Sequence, residues 1–157
     1  MATTETALYA SQKSDRANPT RLADANVASG EVEVAVIPYA LSGSEAASDT
    51  IDLCLLPKDC IPVPALSYVV CDNPGTALVI DIGTAEDADG WADGMVLSAG
   101  GEVKANSAAN SAWNAATKLA ADDTTDNNTK VFATVQTANS LTADADLYFV
   151  LAFKRGR

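Results

Sequence analysis

Five acids fall between Asp81 and Asp93, in the stretch "DIGTAEDADGWADG", with Trp91 among them. Carboxylates at this density suggest either cation binding or acid/base chemistry. A calcium loop of the EF-hand type places acids at positions 1, 3 and 5, glycine at 6 and glutamate at 12. Counting from Asp87 puts Asp89 at position 3, but Trp91 at 5 and Ser98 at 12. The pattern fails, leaving only an oxygen site of some other kind as a metal reading. A catalytic carboxylate pair needs a cleft and neighbours that drive the two pKa values apart. No histidine, base or phosphate-cradling glycine loop accompanies these acids. The stretch reads as a solvated acidic turn, anchored by Trp91 and Met95 and binding no functional metal.

The other side chains capable of chemistry point the same way. There is no histidine among the 157 residues, which removes Ser-His-Asp and Cys-His catalysis, histidine metal sites and histidine pH switching. Cys54, Cys60 and Cys71 are odd in number and lack zinc spacing. They read as reduced, buried thiols. Lys58 near Cys60 could lower a thiol pKa, but no base or orienting group stands beside it. No G-x-S-x-G elbow occurs, and Gly100-Gly101 reads as a turn. The expectation is no catalytic residue, no cofactor and no enzyme.

Charge narrows the partners. Net charge is −11. Residues 1–30 hold three bases and three acids, and the tail 154–157 holds three bases. The body, 31–153, carries 18 acids against four lysines, a net of −14. Such a body repels nucleic acid and anionic membrane. The two ends either dock on something acidic or are solvated tails. No apolar run reaches the roughly 18 residues of a membrane span, and the first residues lack the apolar centre of a secretion signal.

The elements divide at Gly30. Residues 1–30 read as an extended arm, without helical or strand period, around Leu8, Tyr9, Leu22 and Val27. Residues 31–157 read as one domain of short strands. In "EVEVAVIPYAL", Val32, Val34 and Val36 are expected on the buried face, with Glu31, Glu33 and Ala35 opposite. In "TIDLCLLP", Ile51, Leu53 and Leu55 oppose Asp52 and Cys54. "IPVPALSYVVCD" reads as extended chain, paired only from about Ala65 because of its prolines. "TALVIDIG" buries Leu78, Ile80 and Ile82. Thr84 as N-cap with Glu86 and Asp87 in the first turn predicts a short helical turn over 85–92. "MVLSAGGEVK" predicts a strand pair about Gly100-Gly101, and residues 105–121 fit helix or loop-plus-strand alike. "KVFATVQTA" and "ADLYFVLAFKR" predict a closing hairpin, with Leu147, Phe149, Leu151 and Phe153 on one face. Seven to nine strands without a long helix predict an all-β antiparallel sandwich or jelly roll.

Several stretches together resemble small head decoration, or cement, proteins of tailed bacteriophages. They are "SGEVEVAVIPYAL", "SDTIDLCLLPKDCIPVPALSYVV", "ALVIDIGTAEDADGWADGM" and "TKVFATVQTANSLTADADLYFVLAFKRGR". The resemblance covers about residues 29–155 and rests on pattern, not on a catalytic signature. It implies a sandwich on the outer surface of a virion capsid, made in the host bacterial cytoplasm. It also implies homotrimers that tie neighbouring major capsid subunits together. Leu8, Tyr9, Lys13, Arg16, Arg21 and Leu22 of the arm are then the expected capsid contacts. A tail- or fibre-associated sandwich is the alternative, as is a carbohydrate-binding module. The module would need exposed aromatics in a row, and Trp91 and Trp113 are far apart.

Overall fold

The computed structural model describes residues 32–98, 100–105, 119–120 and 127–155. The arm of residues 1–30, and most of the ambiguous segment 105–121, lie outside them. Alternation of branched and aromatic residues with small or polar ones builds the strands. In chain order these are β1 (Glu33–Ala40), β2 (Thr50–Pro57), β3 (Ile61–Pro62), β4 (Tyr68–Cys71), β5 (Gly75–Gly83), β6 (Ala92–Val96), β7 (Gly101–Lys104), β8 (Asn128–Leu141) and β9 (Asp146–Lys154). One sheet runs β1-β9-β4-β7, with β3 paired to β9. The other runs β2-β8-β5-β6.

The pairings nest. β1 pairs with β9, β2 with β8, β4 with β7 and β5 with β6, all antiparallel. First-with-last nesting, with the innermost pair a hairpin, is the strand order of a jelly roll. Two expected hairpins are therefore absent. β8 and β9 are adjacent in the chain but lie in opposite sheets, joined at residues 142–145. β6 and β7 also separate between the sheets. Gly100 and Gly101, at φ of 69° and 98°, carry that crossing in the region that favours glycine.

The sheets bury Leu78, Ile80 and Ile82 of β5 against Leu147, Phe149, Leu151 and Phe153 of β9, as alternation predicts. Trp91, Met95 and Leu41 complete the largest buried side chains. Full burial of such a side chain contributes roughly 1.5–3 kcal/mol.

The face of β1 is reversed from expectation, and on β2 Ile51 and Leu53 are buried as expected while Leu55 is not. On β1, Val34 and Val36 are 55% and 63% exposed, while Ala35, Ile37 and Tyr39 pack against the core. Both sets are apolar, so alternation alone gives the period but not the side. Register decides it: Ile37 lies opposite Phe149 and Tyr39 opposite Leu147, both inward on β9. The bulkier pair therefore goes inside, and Glu33 is ion-paired with Arg155 at 2.7 Å. On β2, the register shifts between Asp52 and Cys54. A bulge moves the following side chains to the other face, so Leu56 is buried and Leu55 is 65% exposed.

The helical turn also moves. Residues 85–91 form bends and turns, and a 3-10 turn occupies Pro64–Leu66, within the segment expected to be extended. Pro64 suits the first helical position because its fixed φ fits and its missing N–H would have no partner there. In the acidic loop, Thr84 N–H bonds Asp87 C=O and Trp91 N–H bonds Ile82 C=O. These bonds close a hairpin and leave no i-to-i−4 ladder. The loop folds back over Gly83, where a Cβ would lie 2.1 Å from the Asp87 carbonyl oxygen.

Phe149→Ala is expected to cost about 3–5 kcal/mol of stability. Val36→Thr should fall within about 0.5 kcal/mol of the native chain. Urea unfolding at low protein concentration checks both. A large loss at Val36 would mean that the alternation-based face was right.

Candidate functional site

The β5–β6 hairpin carries the acidic stretch, so its carboxylates can be placed one by one. Asp81 sits in β5 where the pairing with β6 shifts register. It is 5% exposed. Its Oδ1 accepts the Gly94 N–H at 2.7 Å, and its Oδ2 accepts the Gln136 side-chain amide. A buried carboxylate with fixed donors is a structural brace. Glu86 and Asp89 are exposed, while Asp87 is half-buried. The Asp89 carboxyl lies above its ordinary value. The main cause is a hydrogen bond with Asp87, followed by burial and repulsion from the same neighbour. Among the described residues, no three of Cys, Asp and Glu converge as metal ligands.

At the end of the loop the chain turns inward. Trp91 is fully buried, and its Nε1–H donates to Ser67 Oγ at 3.0 Å. That hydroxyl also accepts the Ala152 N–H at 2.9 Å and donates to the Val63 carbonyl at 3.0 Å. One hydroxyl thereby uses its donor and both acceptor positions. Trp91 and Met95 anchor the acidic turn as the sequence suggested. Ser67 carries no such signal: a serine after a short proline-led turn is common. The burial of Trp91 also takes it out of any exposed aromatic row, and Trp113 lies outside the described residues.

A second polar construction, read from sequence only as a loop, occupies residues 41–49. Glu45 accepts the Tyr39 hydroxyl at 3.0 Å, the Ser42 N–H at 2.6 Å and the Gly43 N–H at 3.0 Å. Burial alone would raise the Glu45 carboxyl. Hydrogen bonds from the backbone of Ser42 and Glu45, then from the Ser42 and Tyr39 side chains, outweigh it and hold the group below its ordinary value. Beside it lies an open depression of about 370 Å³, lined by Tyr39, Ser42, Ser44, Glu45, Asp49, Thr50 and Ile51. Glu45 is committed to its own loop by these bonds.

The thiols are poorly placed for nucleophilic work. Burial, then the neighbouring Cys60, pushes Cys54 up to about 11. Cys71 is raised by burial first and then by Asp72. None of the three cysteines is in a disulfide; Cys60 and Cys71 are buried and Cys54 is half-buried.

Both sheets expose apolar side chains, Leu55 and Val96 among them on the β2-β8-β5-β6 sheet. On the β2-β8-β5-β6 sheet, Lys130 pairs with Asp52 at 3.0 Å and lies 5.8 Å from the Phe132 ring centroid. On the other sheet, Val34, Val36, Val70 and Tyr148 are exposed. The expected arm contacts, Leu8, Tyr9, Lys13, Arg16, Arg21 and Leu22, all lie outside the described residues. None of them is placed beside this face or any other.

No family model matches the sequence, and no curated protein matches it. Among solved structures, the chain is similar to one in the capsid of Ralstonia phage GP4. There the TM-score is 0.60 at 22% identity, covering 82% of this chain and 86% of that one. It is also similar to a chain of the cyanophage Pam1 capsid asymmetric unit. That match has a TM-score of 0.50 at 18% identity, covering 80% of this chain and 85% of that one. At these identities the shared property is the fold: an antiparallel β-sandwich in jelly-roll order.

Three outcomes follow. Ser67→Ala should destabilise the protein by about 1–3 kcal/mol, since it strands the buried Trp91 and Ala152 donors. In a cycle with Trp91→Phe the two losses should be non-additive, as chemical denaturation would read. Calorimetry with calcium or magnesium should show no micromolar site. A site lost in the Asp87→Asn, Asp89→Asn double variant would overturn the reading of this loop. Because the folded Glu45 carboxyl lies below its ordinary value of about 4.3, its contribution is complete above that pH. It is lost as the pH falls through the folded value. The stability gap between the native chain and Glu45→Gln should therefore close in acid, as thermal unfolding across pH would show.

Proposed function

We propose that the chain is a non-catalytic, structural protein of a tailed-phage virion, seated on the outer surface of the capsid. There it binds the major capsid protein and cements neighbouring subunits, as a homotrimer. The observation that carries this reading is the jelly-roll likeness, over 82% of the chain, to a chain in the capsid of Ralstonia phage GP4. The Pam1 capsid chain adds a second neighbour of the same kind. The chemistry agrees. The buried carboxylate of Asp81 is braced, Glu45 is bound within its own loop, and the raised thiols are poor nucleophiles. Cysteines outside any disulfide suit a protein made in a reducing bacterial cytoplasm.

In this reading the arm, residues 1–30, makes the capsid contacts. Its charges cancel while the body stands at −14, so it can approach an acidic shell that the body's field opposes. Exposed pairs made by Lys13, Arg16 and Arg21 contribute only about 0–1 kcal/mol each. Most affinity then comes from Leu8, Tyr9, Leu22 and backbone pairing, as an added strand.

The test is binding of the purified protein to capsids of its cognate phage, with cryo-EM of the decorated particle. Deleting residues 2–28 should leave the far-UV spectrum of the sandwich unchanged. It should weaken capsid binding far more than Arg16→Glu does. Equal binding by the truncated and full chains would make the arm a passive tail. Absence of the full chain from the particle would overturn the virion role.

A further inference from the structure

The β5–β6 hairpin contains two Asp-Gly steps, Asp89-Gly90 and Asp93-Gly94. Such a step can react with itself. The glycine nitrogen attacks Cγ of the aspartic acid, and the glycine has no side chain to block the approach. A C–N bond forms, a C–O bond breaks and water leaves, which closes a cyclic succinimide. Water then opens the ring at either carbonyl. One opening restores aspartate. The other gives isoaspartate, in which the main chain runs through the side-chain methylene and the α-carboxylate hangs free. Water is lost and then regained, so no oxidant or reductant takes part.

The fold separates the two steps. Asp93-Gly94 belongs to β6, and the Gly94 N–H is held at 2.7 Å by Asp81, which is itself buried and bound by Gln136. Gly94 is also fixed at a φ of 66°. Its nitrogen leaves that acceptor only by breaking a charge-assisted bond. Asp89-Gly90 lies instead in the bends and turns of 85–91, outside the ladder. Asp89 is exposed, so water reaches its carboxyl, while Gly90 is buried where the chain turns in to Trp91. The Gly90 N–H meets the Asp87 carbonyl at 3.4 Å, longer than an ordinary hydrogen bond. Asp87 also shares a hydrogen bond with the Asp89 carboxyl and favours its protonated form. A protonated carboxyl can release water, whereas an ionised one would have to expel oxide. We infer that Asp89-Gly90 is a self-modification site, converting to isoaspartate through a succinimide, with Asp87 as its positioning residue. The product sets a free α-carboxylate on an exposed turn. That group is the substrate of an isoaspartyl methyltransferase: a carboxylate oxygen takes the methyl group of S-adenosylmethionine, whose sulfonium leaves as the thioether.

The inference concerns the free chain and does not depend on the virion role. The purified full chain, held for weeks at neutral pH, should accumulate isoaspartate at position 89 and little at 93. Peptide mapping with fragmentation that separates the two linkages reads the positions. Methyl transfer from labelled S-adenosylmethionine by a purified isoaspartyl methyltransferase reads the amount. In strong denaturant the two steps should react at similar rates, because the fold is what tells them apart. Gly90 is not among the positive-φ glycines, so its backbone suits alanine. Gly90→Ala should slow conversion at 89 severalfold. Asp87→Ala should slow it severalfold in the native chain but not in denaturant, a difference that a sequence effect would not produce. Far-UV spectra and urea midpoints confirm that each variant is folded. A native chain without isoaspartate at 89 overturns the inference, as does equal conversion at 89 and 93. The same preference for 89 in denaturant would place the cause in the sequence and overturn it equally. So would native Asp87→Ala reacting as fast as the parent chain.

Discussion

The hydroxyl of Ser67 holds the two sheets in their relation. Along one side of β9, β4 pairs with residues 147–150 and β3 with residues 153 and 154. Ala152 falls in the gap between them, fully buried. Its N–H and C=O need partners there, because an unsatisfied buried backbone group costs as much as a lost hydrogen bond. The 3-10 turn between β3 and β4 supplies both. Ser67 Oγ takes the N–H, and the Val63 N–H donates to the C=O at 2.8 Å. The turn thus stands in for a missing stretch of strand. The same hydroxyl receives the indole of Trp91, the last residue of the loop that closes the β5–β6 hairpin of the opposite sheet. Ladder continuity in one sheet and loop position in the other therefore rest on one oxygen.

This arrangement explains why the acidic loop can be so acidic. Its fold does not depend on pairing its charges. It depends on Trp91 beneath it, on Gly83 leaving room for the backbone above, and on Asp81 bracing Gly94 from inside. Glu86 and Asp89 are left in solvent, where repulsion between charges is weak. A metal would add little to a loop whose backbone is already closed by its own hydrogen bonds.

Strand identity was legible wherever one face was apolar and the other was not. β5 is the clear case, because Leu78, Ile80 and Ile82 alternate with Asp81, whereas on β9 the greater bulk of Leu147, Phe149, Leu151 and Phe153 marks the inner side although Tyr148, Val150 and Ala152 opposite are apolar too. β1 was not legible, because Val34 and Val36 compete with Ile37 and Tyr39, and only pairing with Phe149 and Leu147 settles the matter. The β2 bulge was hidden for a related reason: nothing in "TIDLCLLP" marks where the ladder slips. The expected hairpins at Gly100-Gly101 and at residues 139–145 failed because a turn signal tells where a chain reverses, not whether it stays in its sheet. In a jelly roll, most reversals leave the sheet. In the loop, Trp91 and Met95 were recognisable as anchors from their size. Ser67 was not, since its importance comes from a gap in a ladder formed by residues far away in the chain.

The reversed face of β1 has a consequence for the whole surface. Had Val34 and Val36 been buried, Ala35, Ile37 and Tyr39 would have faced outward in their place, so β1 exposes apolar side chains in either orientation. An edge strand of that kind is a liability for a protein alone in solution, and the remedies used elsewhere in this fold, a bulge in β2 and Gly94 in β6, are not used on β1. Pro38 blunts the edge for pairing but leaves the face apolar.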